Sequence, residues 1–373
     1  MVDLTVALSK LTGFTLDLQD IGANFTENAG RLLPGLVLPA GTSGQLAQLS
    51  LPIQQLQATL SGDHQKDTSA LGTLGSGLGT SATAYQNSDE QHAVSLNQAG
   101  ASLTDGQSVA ATGSAVDIRR FTGLQELSLQ NVEEAQYTVR QAVTGCIELL
   151  TSYDEPLGRT IGIKPIAEYL APVEADWEAL RGVGKRIGLL GINDFAHSQN
   201  LFAGIGWIQA DWIGAAATSF AATATALGQS LDTRSIDLDA VSKIVENGAL
   251  LLERLVYNQA ADLAGSLTKR MTFANFTLPL ASWAQLIDQP MDESAKSQIT
   301  SAVDELKKSV ATRQDAITTT IQRISGALGY ESGRAAPVYN ASEFELPEKV
   351  IIDTGTIRYG YGDNVWFELA VSV

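Results

Sequence analysis

The chain has few of the side chains that enzymes and metal proteins use for chemistry. Its 373 residues include one cysteine, Cys146, and three histidines. One thiol cannot form an internal disulfide or a cysteine-based metal site, and the apolar run 143–150 around it predicts a small buried residue rather than a nucleophile. His64, His92 and His197 lie far apart in polar stretches. We expect each of them to be exposed or singly hydrogen-bonded, and none to bind a metal.

Motifs of catalysis are also scarce. The sequence contains no Gly-X-Ser-X-Gly motif and no glycine-rich phosphate loop. Residues 353–355, Asp-Thr-Gly, match the tripeptide of aspartic proteases, but that chemistry needs two carboxylates that share a proton, and there is one copy here. We interpret this tripeptide as a β-turn. The sequence therefore predicts a protein that is not an enzyme and needs no cofactor.

Neither a membrane span nor a cleavable export signal is visible. The most apolar long segment, 205–227, is interrupted by Gln209 and Asp211, which argues against a transmembrane helix. Residues 1–10 lack the basic start of a signal peptide. The formal net charge is −17, so binding to nucleic acid or to an anionic membrane surface gains nothing from counterion release. We expect a protein that resides in the cytoplasm or leaves it by a route that reads folded helices.

Apolar residues are nevertheless plentiful enough to form a core. Hydrophobic residues make up 44% of the chain, while aromatic residues make up only 6%. Small side chains let helices approach closely, and apolar residues recur at helical spacing along most of the chain. The expected fold is mainly α: an elongated helical bundle with coiled-coil-like long helices and a small C-terminal β element. Besides helices near both ends of the first 60 residues, helices are expected over 67–92, 123–151, 166–190, 211–231, 237–269 and 292–328.

The strongest periodic signal is an apolar stripe over 292–328. Its members alternate steps of four and three, with one position near Arg313 left without an apolar residue. They are Ile299, Val303, Leu306, Val310, Ile317, Ile321, Ile324 and Leu328. This pattern indicates a long helix that packs lengthwise on another helix. Two interpretations are open: a core within the same chain, or a coiled coil between two chains.

Composition divides the chain into four consecutive segments. Residues 1–96 form an N-terminal helical hairpin region, and 97–118 form a linker rich in glycine and serine. A helical bundle follows over 119–330. Residues 331–373 form a C-terminal tail, in which the β-branched and aromatic runs 350–353, 356–359 and 364–373 predict a small β element.

Two short motifs suggest a function. Tyr85 and Asp89 are four residues apart, so on a helix they share one face and form one patch. Trp212 and Gly214 form a Trp-X-Gly motif that precedes an alanine-rich helix. Glycine permits a sharp turn there, and the tryptophan can pack between the two helices that the turn joins.

In combination, these motifs resemble those of actinobacterial type VII (ESX-like) secretion substrates. The Trp-X-Gly family has this motif at the turn of a helical hairpin, and Tyr-X-X-X-Asp is similar to the export signal of the same pathway. The resemblance implies a helical, non-enzymatic protein exported without a cleaved signal peptide. Tyr85, Asp89, Trp212 and Gly214 would then form the signal and interaction residues. The implied partners are the secretion machinery, a small helical protein or a second copy of the chain.

A second class of function is also open. The same long helices could oligomerise in a structural or assembly scaffold, of a phage or of a cell envelope. This alternative needs the long helices for association between chains, whereas the export hypothesis depends on the two short motifs.

Overall fold

The computed structural model describes residues 6–101, 118–133 and 136–351, and helices dominate these ranges. The mainly α fold predicted from the sequence is therefore confirmed. The helices are α1 (Leu8–Leu32), α2 (Ser50–Ala101), α3 (Thr138–Leu150), α4 (Asp154–Thr160), α5 (Ala179–Gln209), α6 (Ala215–Thr268), α7 (Leu280–Gln285) and α8 (Glu293–Leu328).

Several helices are longer than the sequence pattern predicts. The two helices expected over 211–231 and 237–269 are one helix, α6, and α2 continues to Ala101 into the expected linker. Glycines inside α2 cost about 1 kcal/mol each relative to alanine. The helix tolerates them because its apolar face, including Leu71 and Leu78, is almost completely buried. Residues 102–117 lie outside the described residues.

Two predicted helices begin later than expected. Among the described residues of the segment 123–151, the helix covers 138–150, while α5 begins at Ala179 after short 3₁₀ and π turns over 165–173 and continues past the predicted end at 190 to Gln209. Before α3, backbone groups of the chain form hydrogen bonds with side chains of α1 instead of with one another. The Asn28 amide donates to the Leu127 carbonyl at 3.0 Å. Such side-chain partners replace the bonds of a helix, and apolar periodicity does not reveal them.

A β-hairpin stands where no strand is predicted. β1 (Arg270–Phe273) pairs antiparallel with β2 (Phe276–Pro279), and Phe273 is opposite Phe276. The two turn residues, Ala274 and Asn275, have φ of 50° and 67°. These values match a type I′ turn, which suits a tight hairpin. The strands predicted over 356–359 and 364–373 lie outside the described residues.

The chain forms two compact units, each built from three separate segments. Unit 1 comprises Met1–Gly35, Gln57–Asn131 and Ile187–Asp239, and unit 2 comprises Leu36–Leu56, Val132–Arg186 and Ala240–Val373. Helices α2, α5 and α6 contribute residues to both units. Composition divides the chain into consecutive segments only, because it carries no information on contacts between distant segments.

The apolar stripe of α8 is part of the core of unit 2. All eight stripe residues are buried, with exposed fractions between 0% and 4%. This burial supports the interpretation of the stripe as a core within one chain. Asp292 begins α8 as its N-cap and accepts from the N–H groups of Ser294 and Ala295, so the start and the end of this helix agree with the sequence pattern.

Arg313 occupies the position where the stripe lacks an apolar residue. Its guanidinium donates to the Asp262 carboxylate on α6 and to the Ser309 hydroxyl on α8. The side chains of Arg313 and Asp262 are only 16% and 25% exposed. A half-buried ion pair of this kind fixes the register of two helices, because sliding one helix along the other would leave both charges unpaired.

Residues 347–350 lie along α6 and are held mainly through their backbone. The Asn258 side chain donates to the Glu348 carbonyl at 2.8 Å and accepts from the Val350 N–H at 2.9 Å. Arg254 donates to the Pro347 carbonyl at 3.0 Å. Together these bonds hold the segment in place on the helix.

None of the helices in the described ranges is long and apolar enough to cross a membrane.

The ion pair of α8 leads to a testable contrast. Asp262→Ala should lower the free energy of unfolding by roughly 2 kcal/mol, because it leaves the Arg313 charge partly buried without a carboxylate. Arg313→Leu should lower it by less than about 1 kcal/mol, since leucine completes the apolar stripe and the Asp262 carboxylate, which is the more exposed partner, still accepts from the Ser309 hydroxyl at 3.2 Å. Chemical denaturation followed by helical circular dichroism measures both. Equal losses in the two variants would show that the ion pair has no such role.

Candidate functional site

The Trp-X-Gly motif lies at the turn of the α5–α6 hairpin, as the sequence predicts. α5 ends at Gln209 and α6 begins at Ala215, so the motif fills the connection between them. Gly214 has a φ of 134°, a backbone conformation that strongly favours glycine. Its carbonyl accepts from the Thr218 N–H at 3.0 Å, the first hydrogen bond of the new helix. The glycine therefore shapes the turn.

Trp212 is buried under the hairpin turn, with 3% of its surface exposed. Its ring lies 5.8 Å from that of Phe220 on α6, and the Phe220 ring meets Phe14 of α1 edge-on at 6.3 Å. Trp212 also forms an antiparallel bridge with Val6, and the Ala7 N–H donates to the Asp211 carbonyl at 3.0 Å. The tryptophan thus joins the hairpin turn to the start of α1.

The second tryptophan of this region lies on the edge of the same core. Trp207 is half-buried, and its ring is tilted against Phe14 and Phe121 at 6.3 and 5.7 Å. The Lys10 ammonium lies 4.8 Å above the Trp207 ring and pairs with the Asp211 carboxylate. The Lys10 ammonium thus links α1 to the end of α5 and to the turn that follows it.

Tyr85 packs on the cluster that contains Trp212. This cluster joins residues from α1, α2, α5 and α6: Leu11, Phe14, Leu18, Ile21, Phe25, Leu71, Leu74, Leu78, Ala82, Leu201, Ile205, Ile208, Trp212, Ala217, Phe220, Ala221, Ala224 and Leu231. Tyr85 is half-buried against it, and Asp89, one turn further along α2, is exposed. The fold therefore places both motifs in one unit, where part of the Tyr85 ring and the Asp89 carboxylate lie at the surface.

Within the Trp-X-Gly motif, one polar atom is buried and one apolar side chain is exposed. The Trp212 indole Nε1 is buried and has no hydrogen-bond partner among the described residues. Ile213, the central residue of the motif, is 50% exposed. The motif thus has a buried half and an exposed half, so it can support the hairpin and still present an apolar side chain to a partner.

Sequence reasoning missed a buried ionic network in unit 1. Arg234 on α6 forms a two-pronged ion pair with Asp194 on α5, at 2.7 and 2.9 Å, and its third nitrogen lies 2.6 Å from the Asp67 carboxylate on α2. All three residues are less than 10% exposed. Burial raises the pKa of the Asp194 carboxyl to about 6, although the neighbouring guanidinium favours its charged form. The two carboxylates in turn raise the pKa of Arg234.

The histidines fit the expectation of exposed or singly hydrogen-bonded rings: among the described residues, His64 contacts the Thr68 hydroxyl at 3.5 Å and His197 contacts the Asn193 carbonyl at 2.7 Å. His197 is completely buried, and His64 is partly buried, while His92 on α2 is exposed. The rings of His64 and His197 lie 4.4 and 5.0 Å from the ring of Phe25. The burial of His197 is not visible in the sequence, because its polar neighbours Asp194 and Asn193 are themselves buried.

The predicted burial of Cys146 is confirmed. It is 2% exposed, and desolvation raises the pKa of its thiol to about 12. In the part of the chain that the structure describes, no three of the His, Cys, Asp and Glu side chains are grouped so that they could hold a metal ion.

Comparisons with known proteins give no relative. No protein-family model matches the chain, and neither a curated protein nor a solved structure is significantly similar to it.

Single substitutions can distinguish the structural residues of the Trp-X-Gly motif from its exposed central residue. Trp212→Ala should lower the free energy of unfolding by about 3–5 kcal/mol, since it removes a buried aromatic ring. Gly214→Ala should cost roughly 1–3 kcal/mol, because a Cβ atom is strained at this backbone conformation. Ile213→Ala, the matched control in the same turn, should cost less than about 0.5 kcal/mol. Chemical denaturation is the measurement, and a Gly214→Ala variant as stable as the control would contradict the role of the glycine.

Proposed function

We propose that this protein is a non-enzymatic substrate of a type VII (ESX-like) secretion system and acts by association between helices. One observation carries the proposal: a Trp-X-Gly turn with its tryptophan buried and its glycine at a φ of 134° joins two long helices. This is the structural setting that the resemblance in the sequence implies for such a motif.

The position of the second motif supports the same function. Tyr85 and Asp89 occupy successive turns on one face of α2, in the unit that also contains the Trp-X-Gly turn. A partially exposed aromatic ring beside an exposed carboxylate forms a surface that a receptor can recognise by one apolar and one charge-assisted contact. Both motifs pack on or around a single cluster, so the folded unit presents them in a fixed arrangement.

The proposal has consequences for location and partners. The protein would be made in the cytoplasm and reach the cell surface or the medium without cleavage of a signal peptide. Its partners would be proteins: the secretion machinery first, and then a small helical partner or a second copy. Such contacts would use side chains like Ile213, which is half-exposed at the hairpin turn.

A scaffold of a phage or a cell envelope is the second candidate. It would use long helices for oligomerisation, and the α8 stripe is the pattern in the sequence that suggested it. That stripe is buried within unit 2, so in the described structure it is not available to a second chain. This observation favours the export hypothesis over a scaffold built through α8.

The test replaces both proposed signal residues. Tyr85→Ala combined with Asp89→Ala should abolish export from an actinobacterial host with an active type VII system, while the free energy of unfolding falls by roughly 1 kcal/mol for the half-buried Tyr85 and by less than about 0.5 kcal/mol for the exposed Asp89. Protein in the culture filtrate, relative to the cell lysate, is the readout. A second strain without the secretion ATPase shows whether any export depends on that system.

A matched control lies on the same helix. Gln86 and Glu90 are also four residues apart, both are exposed, and their side chains are joined by a hydrogen bond of 3.2 Å. Gln86→Ala combined with Glu90→Ala should leave export unchanged. If the Tyr85/Asp89 variant folds and is exported like this control, the two residues are not a signal.

A further inference from the structure

Unit 1 contains a phenylalanine ring enclosed by two imidazoles from different helices. Phe25 belongs to α1, His64 to α2 and His197 to α5. The ring centroids are 4.4 Å apart for Phe25 and His64, and 5.0 Å apart for Phe25 and His197. Because the three helices meet through these rings, the charge of the imidazoles affects how the helices pack.

Burial, rather than its hydrogen bond, favours the neutral ring of His197. Its Nδ1 atom lies 2.7 Å from the carbonyl of Asn193, which can only accept, so Nδ1 carries the proton. The other nitrogen, Nε2, is buried and has no partner within the described residues. A second proton would place a charge and an unsatisfied donor in the core, which is costly.

His64 is kept neutral first by burial and then by the charge of the Arg234 guanidinium, which opposes a positive charge on the ring. The titratable groups that act on His64 are Arg234 of α6 and His197 of α5. α1 contributes the apolar ring of Phe25. The carboxylates of Asp67 and Asp194 are already paired with Arg234.

We propose that His64, Phe25 and His197 form a proton-sensitive contact that holds α1, α2 and α5 together while both imidazoles are neutral, so that protonation of these imidazoles in acid favours opening of unit 1. Opening of the unit would bring both imidazoles into water, where each can accept a proton. This property is independent of the proposed export, since it concerns the conditions under which the helices separate rather than the signal that is recognised.

The direction of the effect follows from proton binding. Desolvation, and then the charge of Arg234, lowers the pKa of His64 from 6.5 to about 4, and desolvation lowers the pKa of His197. The open state therefore binds protons that the closed state does not. The stabilisation from neutral His64 is complete above about pH 6.5 and is lost as the pH falls towards about 4.

Carboxyl groups in the same unit act in the opposite direction. Burial raises the pKa of Asp67 and raises that of Asp194 to about 6. These groups take up protons in the folded state before they would in the open state, so they favour the folded state as the pH falls. The histidine contribution must therefore be isolated as a difference between two proteins that share the same carboxyl groups.

The experiment compares the full chain with His64→Gln combined with His197→Gln. The midpoint of chemical denaturation is measured from about pH 7.5 to about pH 5 for both, together with hydrogen exchange of α1 amides. The wild type should lose stability relative to the double variant progressively as the pH falls. His92→Gln, an exposed histidine on the same helix α2, is the matched control and should follow the wild type.

If the double variant does not fold because it replaces the buried His197, two further measurements still test the proposal. His64→Gln alone, at a partly exposed position, should show a smaller change in the same direction. An NMR titration of the wild-type imidazoles should show His64 still neutral at about pH 5.5. The proposal is overturned if the difference between wild type and variant does not depend on pH, or if His64 takes up its proton near pH 6.5 in the folded protein.

Discussion

The buried guanidinium of Arg234 must remain paired with carboxylates, and this requirement determines how three helices of unit 1 pack. Arg234 on α6 is bound on one side by Asp194 of α5 and on the other by Asp67 of α2. Losing either carboxylate would leave a buried charge with too few partners, so the three helices can meet in only one register. The cluster around Phe14 and the hairpin turn at Trp212 are then built on helices whose relative positions are already fixed.

The sequence predicts the parts of the fold that depend on local periodicity. α8 is predicted almost to the residue, because the spacing of its apolar side chains is a signal that acts within a few residues, and the cap at Asp292 is equally local. The Trp-X-Gly turn is predicted for the same reason. What depends on distant partners is missed: the irregular path near Leu127, held by Asn28, and the junction of the two predicted helices into α6. A pattern of apolar residues cannot show which polar side chain will find a partner a hundred residues away.

The same distinction applies to the candidate site. Tyr85, Asp89, Trp212 and Gly214 were found as short motifs, and the structure places them in one unit. The sequence does not reveal the burial of His197, because Asp194 and Asn193 give its neighbourhood a polar sequence although these residues are buried. Burial of polar groups is a property of the assembled core. In a chain with few aromatic residues, such buried polar contacts provide much of the geometric specificity that aromatic packing gives elsewhere.

The hydrogen bonds between Asn258 and residues 347–350 constrain the path of the backbone rather than the identity of the side chains. Its amide contacts one carbonyl and one N–H of the main chain, which every residue except proline can supply. Substitutions at Glu348 or Lys349 can therefore accumulate over evolution while the path of the chain along α6 stays the same. Proline at position 350 is the exception, since it has no N–H to donate. Sequence drift in this segment would then be a poor guide to structural change, and a conserved asparagine on α6 would be the better one.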